Sequence, residues 1–148
     1  MNFHTTNIRP RYSETDQMGI IYHSNYFPWF EVARTSFLKE QGISYGEMER
    51  LGIFLPVIEV NCKYISSALY DDDLTVEVWI EAFRASRIKF HYRILRKEQE
   101  LLATGFTEHV FLDRKSKRPV NLKKSYREVY QLLEKIYQSQ EVKKCSED

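Results

Sequence analysis

Between Tyr12 and Glu31 the chain reads YSETDQMGIIYHSNYFPWFE, which sets the carboxylates of Glu14 and Asp16, together with Gly19 and His23, among bulky apolar residues. A carboxylate on a loop can take a proton from water or attack an electrophilic carbonyl carbon. The start of a following helix offers N–H groups with no intrahelical partner, and a dipole that favours negative charge. Joined, the two halves would suit acyl transfer, with a base or nucleophile on one side and donors for the developing oxyanion on the other. An Asp in a loop is most often a turn or capping residue, so residue type alone leaves both readings open.

The elements around this stretch must position it. Residues 3 to 12 read as a first strand ending at Tyr12, with Pro10 confining it to an edge or marking its end. A loop follows from Ser13 to about Ser24. Asn25 then reads as an N-cap, because it places Pro28 at the third helical position, where a missing N–H has no intrahelical partner to lose. The helix is expected to run to Gly42 as its C-cap. Its first half carries Tyr26, Phe27, Trp29, Phe30, Val32 and Ala33 with Glu31 as the only charge, the pattern of a buried helix. Ser44 and Glu47 spell a capping box for a short second helix ending near Gly52.

From Ile53 the apolar period changes to two. Val76, Val78, Ile80 and Ala82 alternate with Thr75, Glu77, Trp79 and Glu81, and Ile88, Phe90, Tyr92 and Ile94 alternate with Lys89, His91 and Arg93. Segments 54–68, 73–84, 87–98 and 101–113 read as a meander of long antiparallel strands joined by short polar turns, among them Asp71-Asp72-Asp73 and Lys97-Glu98-Gln99-Glu100. Ser125 and Glu128 spell a second capping box, opening a C-terminal helix with Val129, Leu132, Leu133 and Ile136 on one face. Residues 1–138 are expected to form one domain, and 139–148 a polar, frayed tail. One buried helix of ~25 Å and long strands satisfy each other when a strongly twisted antiparallel sheet curls around the helix. The expected fold is α+β: a hotdog arrangement of a curled sheet wrapped around one long central helix, plus a C-terminal helix.

With 148 residues the chain fits one domain, which near that size buries roughly 70% of the surface its unfolded form exposes. Lys plus Arg is 22 and Asp plus Glu is 21, and the net charge of +1 gives no general attraction to nucleic acid or to an anionic membrane. Any anion binding must be local. No basic-then-apolar N-terminal signal is present, and no apolar run reaches the ~18 residues of a membrane span. A soluble, cytoplasmic protein is expected. Cys62 and Cys145 lack CxxC spacing and read as free thiols. His91 and His109, placed on neighbouring strands, lack a third ligand, so no metal site is expected.

The opening stretch closely resembles the signature of the 4-hydroxybenzoyl-CoA thioesterase class of hotdog proteins, in particular its YbgC-like acyl-CoA thioesterases. The resemblance is carried by Tyr12, Thr15, Asp16, Gly19, Ile20, Tyr22, His23, Asn25, Tyr26, Glu31, Ala33 and Arg34. Further on, KYISSALYDDDLTVEV resembles the family's strand-turn-strand with paired Asp. FLDRKSKRPVNL resembles its last strand and exit, where a basic residue, here Arg118, precedes Pro119. Similarity covers roughly residues 4 to 137. Ser67 and Lys123 stand where the family usually has prolines; far along the sequence from the signature, they bear on loop details more than on activity.

The resemblance implies a hotdog homodimer, often paired into a homotetramer, with sites at the subunit interface. It implies hydrolysis of an acyl-CoA substrate with no cofactor or metal. Asp16 falls on the family's catalytic aspartate, as general base or nucleophile, and the backbone N–H of His23 on its oxyanion donor, with the His23 imidazole a further polarising or orienting group. Gly19 would let the loop approach the acyl group, and Met18, Ile20 and Ile21 would line its end of the pocket. Tyr22 and Tyr26 read first as core or interface aromatics, although Tyr22 borders the proposed substrate site. Glu14 is expected to be solvated, and Glu31 to pair on the helix surface with Arg34. Arg84, Arg87, Lys89, Arg114, Lys115, Lys117, Arg118, Lys123 and Lys124 cluster where a rim for the CoA phosphates could form, with Arg118 the first choice. The competing reading is a non-catalytic hotdog that binds acyl-CoA or acyl carrier protein, which would need the pocket but not Asp16. A hotdog dehydratase would carry a His-Phe-Pro-Gly-like segment, and the chain has none.

Overall fold

The computed structural model describes the backbone of residues 3–147 and the side chains of residues 3–140. The sheet has five antiparallel strands, β1 (His4–Ile8), β3 (Val57–Tyr64), β4 (Leu74–Phe83), β5 (Arg87–Arg96) and β6 (Glu100–Val110), in the spatial order β1-β4-β5-β6-β3. A short ribbon pairs β2 (Ile53–Phe54) with β7 (Leu112–Asp113). The strands curl around α1 (Tyr26–Glu40), followed by α2 (Tyr45–Leu51); α3 (Leu122–Ser125) and α4 (Arg127–Glu147) close the chain. This is the hotdog fold. Among the described residues, no helix is long and apolar enough to cross a membrane.

The alternation in β4 and β5 drives the wrapping. Val76, Val78, Ile80, Ile88, Phe90, Tyr92 and Ile94 are all fully buried, while the residues between them are mostly half-buried. Facing them, α1 buries Tyr26, Trp29, Phe30, Ala33, Phe37 and Leu38. Phe30 stacks on Tyr92 with ring centroids 4.3 Å apart. It reaches the sheet floor because β6 carries Gly105 there: a Cβ at 105 would fall 2.8 Å from the Phe30 ring and into the carbonyl oxygen of Asn61. The expectation of a helix buried all round is corrected. Pro28, Glu31, Val32, Thr35 and Lys39 form an exposed face, since one sheet covers only one side.

Several boundaries also differ from the sequence reading. β1 stops at Ile8, because Pro10 cannot donate to a ladder and Tyr12–Glu14 coils into a 3-10 turn. The meander holds for β4, β5 and β6 but not for β3, which lies beyond β6 at the opposite edge. Residues 65–73 are therefore a crossover. Its middle is pinned over the start of α1: the Ala68 N–H donates to the Tyr26 hydroxyl (3.2 Å) and the Ala68 carbonyl accepts from the Ile21 N–H (2.9 Å).

Ser44 caps α2 by accepting from the Glu47 N–H at 3.1 Å, and Gly52 ends it in a left-handed conformation. Ser125 is not an N-cap. Asn121 caps α3, and Tyr126 breaks it from α4 with a non-helical backbone. Val129, Leu133 and Ile136 of α4 are buried and Leu132 half-buried. The backbone of α4 continues to Glu147. The side chains from residue 141, on which much of the expected polar tail and Cys145 fall, lie outside the described residues.

One polar chain runs through the core. Arg34, buried and without a carboxylate partner, donates to the Tyr45 and Tyr92 hydroxyls; Tyr92 lies 2.6 Å from the Thr107 hydroxyl, which lies 2.9 Å from His109 Nε2. The expected Glu31–Arg34 pair is not formed, because Arg34 turns inward while Glu31 stays on the exposed face. His109 Nδ1 sits 3.1 Å from the Leu55 carbonyl, which can only accept, so Nδ1 carries the proton and Nε2 accepts from Thr107. Burial, and then the Arg34 charge, push His109 down to about 4.

That depression has a sign. Unfolded His109 titrates near 6.5 and the folded form near 4, so between them the unfolded chain binds more protons. The contribution is complete above pH 6.5 and is lost as pH falls toward 4, on the order of 3 kcal/mol in all. Urea unfolding should therefore show a steeper loss of stability between pH 7 and 4 in the wild type than in His109→Gln. Equal slopes would remove His109 as a source of acid sensitivity.

Candidate active site

The loop before α1 is built by local hydrogen bonds. Thr15 and Ile21 form an antiparallel bridge, the Asp16 N–H donates to the Ile20 carbonyl at 2.9 Å, and the Gly19 N–H to the Asp16 carbonyl at 3.1 Å. Asp16 Oδ1 accepts from the Met18 N–H at 2.8 Å, so Asp16 does organise its turn. No group among the described residues donates to the other carboxyl oxygen. Gly19 is required by its φ of +78°, not by space, since a Cβ there would meet nothing within 4 Å in the protomer.

Glu14 corrects the sequence reading. It is 8% exposed, and its carboxylate accepts from the Trp29 indole N–H at 3.1 Å and from the Arg11 N–H at 2.8 Å. The 3-10 turn at Tyr12–Glu14 places it inward. Its backbone carbonyl is equally occupied, accepting from the Tyr22 N–H (2.9 Å) and from Asn25 Nδ2 (2.8 Å). Asn25 is thus not a side-chain N-cap; its backbone is already helical.

A second 3-10 turn, His23–Asn25, leads into α1. As at any helical start, its first N–H groups lack an internal partner, and among the described residues nothing accepts from those of His23 and Ser24. The His23 carbonyl, which shares a peptide plane with the Ser24 N–H, accepts from the Tyr64 hydroxyl at 2.7 Å.

A cavity of about 210 Å³ joins these parts: Asp16, His23, Met18, Ile20, Ile21 and Tyr26 line it, together with Tyr64, Ile65, Ser66 and Ser67. The residues from 64 to 67 escaped the sequence reading as site residues. The signal for them was the departure at Ser67, which lies far from Asp16 along the chain but beside it in space. Gly19 borders instead an open hollow on the loop's other side, with Tyr12 and Tyr70. Tyr22 is exposed and rests on the His23 ring, 4.5 Å between centroids, without lining the cavity.

The basic residues do not gather around Asp16 within one protomer. Arg118 sits in the loop after β7, its carbonyl accepting from the Asp113 N–H at 2.8 Å. Arg84, Arg87 and Lys89 line a cavity of about 320 Å³ at the β4–β5 turn. There Arg87 meets Glu108 at 3.6 Å, and Lys89 meets Glu81 at 3.7 Å and lies over the Phe106 ring. His91 and His109 lie on neighbouring strands in different registers, opposite Phe106 and Ile88. No group of three metal-ligating side chains occurs among the described residues.

A curled sheet around one helix, with a loop carboxylate set against a free helical start, defines the class: the chain belongs to the thioesterase-like superfamily, whose model matches residues 10–131. Among curated relatives, it is 35% identical over 128 residues to YneP of Bacillus subtilis, covering 86% of this chain and 93% of that one. It is 29% identical over 118 residues to the acyl-CoA thioester hydrolase YbgC of Escherichia coli O6:H1, covering 80% and 88%. Among solved structures, a DHNA-CoA thioesterase from Staphylococcus aureus superposes with a TM-score of 0.86 at 36% identity, covering 92% of this chain and 91% of that one.

Proposed function

We propose that this protein, an acyl-CoA thioesterase by its family, hydrolyses a small or medium acyl-CoA with Asp16 as general base. The observation that carries the reading is the cavity that Asp16, with one carboxyl oxygen unbonded among the described residues, shares with His23, the first residue of a turn whose leading N–H groups have no acceptor among them. Asp16 takes a proton from water as the water oxygen attacks the thioester carbon. The carbonyl oxygen becomes an oxyanion and is held by the His23 N–H. Collapse expels the CoA thiolate, which receives the proton from Asp16 and leaves the free acid. The exposed His23 imidazole borders the same cavity and is available to orient the acyl group.

Asp16 borders both the open hollow beside Gly19 and this cavity of about 210 Å³, which fits a compact acyl group. The cavity's walls of Ile20, Ile21, Tyr26 and Ile65 suit an apolar or aromatic one. Activity should be assayed from acetyl-CoA to palmitoyl-CoA, with benzoyl and hydroxybenzoyl arms, and with a naphthoyl arm because of the Staphylococcus relative.

Asp16→Asn separates base from turn residue. Asn keeps the oxygen that accepts from Met18 but cannot take a proton from water, so kcat should fall roughly 10²- to 10⁴-fold while a non-hydrolysable analogue still binds. Glu14→Gln, by contrast, should cost stability, about 1–3 kcal/mol, through an amide N–H₂ facing donors. A folded Asp16→Asn enzyme with near wild-type turnover would sink the assignment.

Arg118 is proposed as a phosphate contact on the CoA rim. Arg118→Ala should weaken acyl-CoA binding by ~1 to 2 kcal/mol and spare a pantetheine thioester lacking the nucleotide. Equal losses with both substrates would take Arg118 out of the site.

We further propose that the active form is a homodimer, or a tetramer built from it. β3 is an edge strand whose Val57, Ile58, Val60 and Tyr64 are exposed, an edge that a monomer would leave open to pairing. The Asp16 cavity opens at the end of this strand, so a second copy along β3 would wall it in. Sedimentation should find at least two chains per active particle, and a fully active monomer would refute the proposal.

A further inference from the structure

We infer that Tyr64 is a positioning residue for the oxyanion-binding turn: its hydroxyl holds the His23 carbonyl and so sets the direction of the Ser24 N–H, which shares that peptide plane, and of the adjoining His23 N–H. The inference rests on the function proposed above.

By itself the turn is held by main-chain bonds alone, the Tyr26 N–H donating to the His23 and Ser24 carbonyls and the Asn25 N–H to the Tyr22 carbonyl at 3.0 Å. It is a single 3-10 turn without a side-chain cap, the His23 and Ser24 side chains are exposed, and Asn25 is only half-buried. In a helical turn, carbonyls and N–H groups point in opposite directions along the axis. Clamping a carbonyl therefore orients the N–H groups behind it. Two side-chain contacts add to the main-chain bonds, and the second of them clamps a carbonyl of the turn. Asn25 Nδ2 donates to the Glu14 carbonyl at 2.8 Å, and the Tyr64 hydroxyl donates to the His23 carbonyl at 2.7 Å.

Tyr64 is suited to the task by its own support. It is the last residue of β3, paired with Ala103 of β6, so it carries the rigidity of the sheet to the turn. The Tyr26 ring meets it edge-on at 4.9 Å and the His23 ring at 6.3 Å. Because a carbonyl cannot donate, the phenol hydrogen goes to His23. Tyr64 also lines the Asp16 cavity, so any shift of the turn occurs where the thioester must sit. Displacements on the order of 1 Å can cost as much as ~10²-fold in rate.

Tyr64→Phe keeps the ring and removes only the hydroxyl. It should lower kcat about 10-fold or more, with KM within about twofold, because donor geometry matters more to the transition state than to the ground state. Unchanged kcat in a folded variant overturns the inference, and so does a rise in KM alone, which would make Tyr64 a substrate contact. A second variant guards against misfolding: 3,5-difluorotyrosine at position 64 retains ring and hydroxyl but ionises at lower pH. It should bring an alkaline loss of kcat into a range where the wild type is flat, since the phenolate cannot donate. A profile matching the wild type overturns the inference. Asp16→Asn, run in parallel, separates the two failures: activity retained there removes the proposed site, whereas an inactive Asp16→Asn with a fully active Tyr64→Phe removes only the role of Tyr64.

Discussion

The contact of Phe30 with the sheet at Gly105 is the constraint from which the site's geometry follows. A helix of this bulk can approach a strand closely only where the strand offers no side chain, and β6 offers that place opposite Cys62 and Tyr92. Phe30 fills it and stacks on Tyr92, which sets both the depth and the rotation of α1. Once α1 is seated, Tyr26, one turn before Phe30, and Trp29, the residue next to it, must meet whatever packs over the helix start. Tyr26 meets the crossover at Ala68, and Trp29 meets Glu14. The loop with Asp16 is thus hung on a helix whose place the sheet decides.

The core holds two ionisable groups in different ways. Arg34 keeps its charge without a carboxylate, its guanidinium spread over tyrosine hydroxyls, and Tyr45 is pushed up to about 12, so it remains a neutral partner. Burial, and then repulsion from the Arg34 cation, hold His109 neutral down to about pH 4. The hydroxyls pass the row along, Arg34 donating to Tyr92, Tyr92 to Thr107 and Thr107 to His109, and the last proton goes to the Leu55 carbonyl. A half-satisfied network would be costly in a low dielectric, so this row specifies one arrangement of α1 against β5 and β6.

Periodicity made much of this legible from the residues. The alternation in β4 and β5, the apolar half of α1, the Ser44 cap and the Gly52 stop all depend on local rules, and they were readable. The order of the strands was not. Nothing in a strand's own alternation says which neighbour it pairs with, and β3 differs from β6 mainly in lying at an edge, a property of the assembled sheet. The site divided along the same line. Asp16, His23, Met18, Ile20 and Ile21 sit within one short segment, and the cavity brings them together. Tyr64 and Ser67 join them only because the crossover passes over the start of α1, a contact between distant parts of the chain.

Glu14 shows why the two halves of the site hold a common frame. Read from the sequence it is a second carboxylate two places from Asp16, a rival for the same role. In the fold, its side chain is fixed by the Trp29 indole and the Arg11 N–H, and cannot reach outward. Its carbonyl meanwhile takes the Tyr22 N–H and the Asn25 amide, which bracket the His23 turn. The Asp16 side of the loop begins at the next residue, where Thr15 bridges to Ile21 and Asp16 turns on Met18. The proposed base and the proposed backbone donors therefore hang from a single buried residue, itself bonded to the helix that the sheet has already placed. Catalysis by a base and a fixed donor needs a constant distance between them more than strength in either, and a shared anchor supplies it.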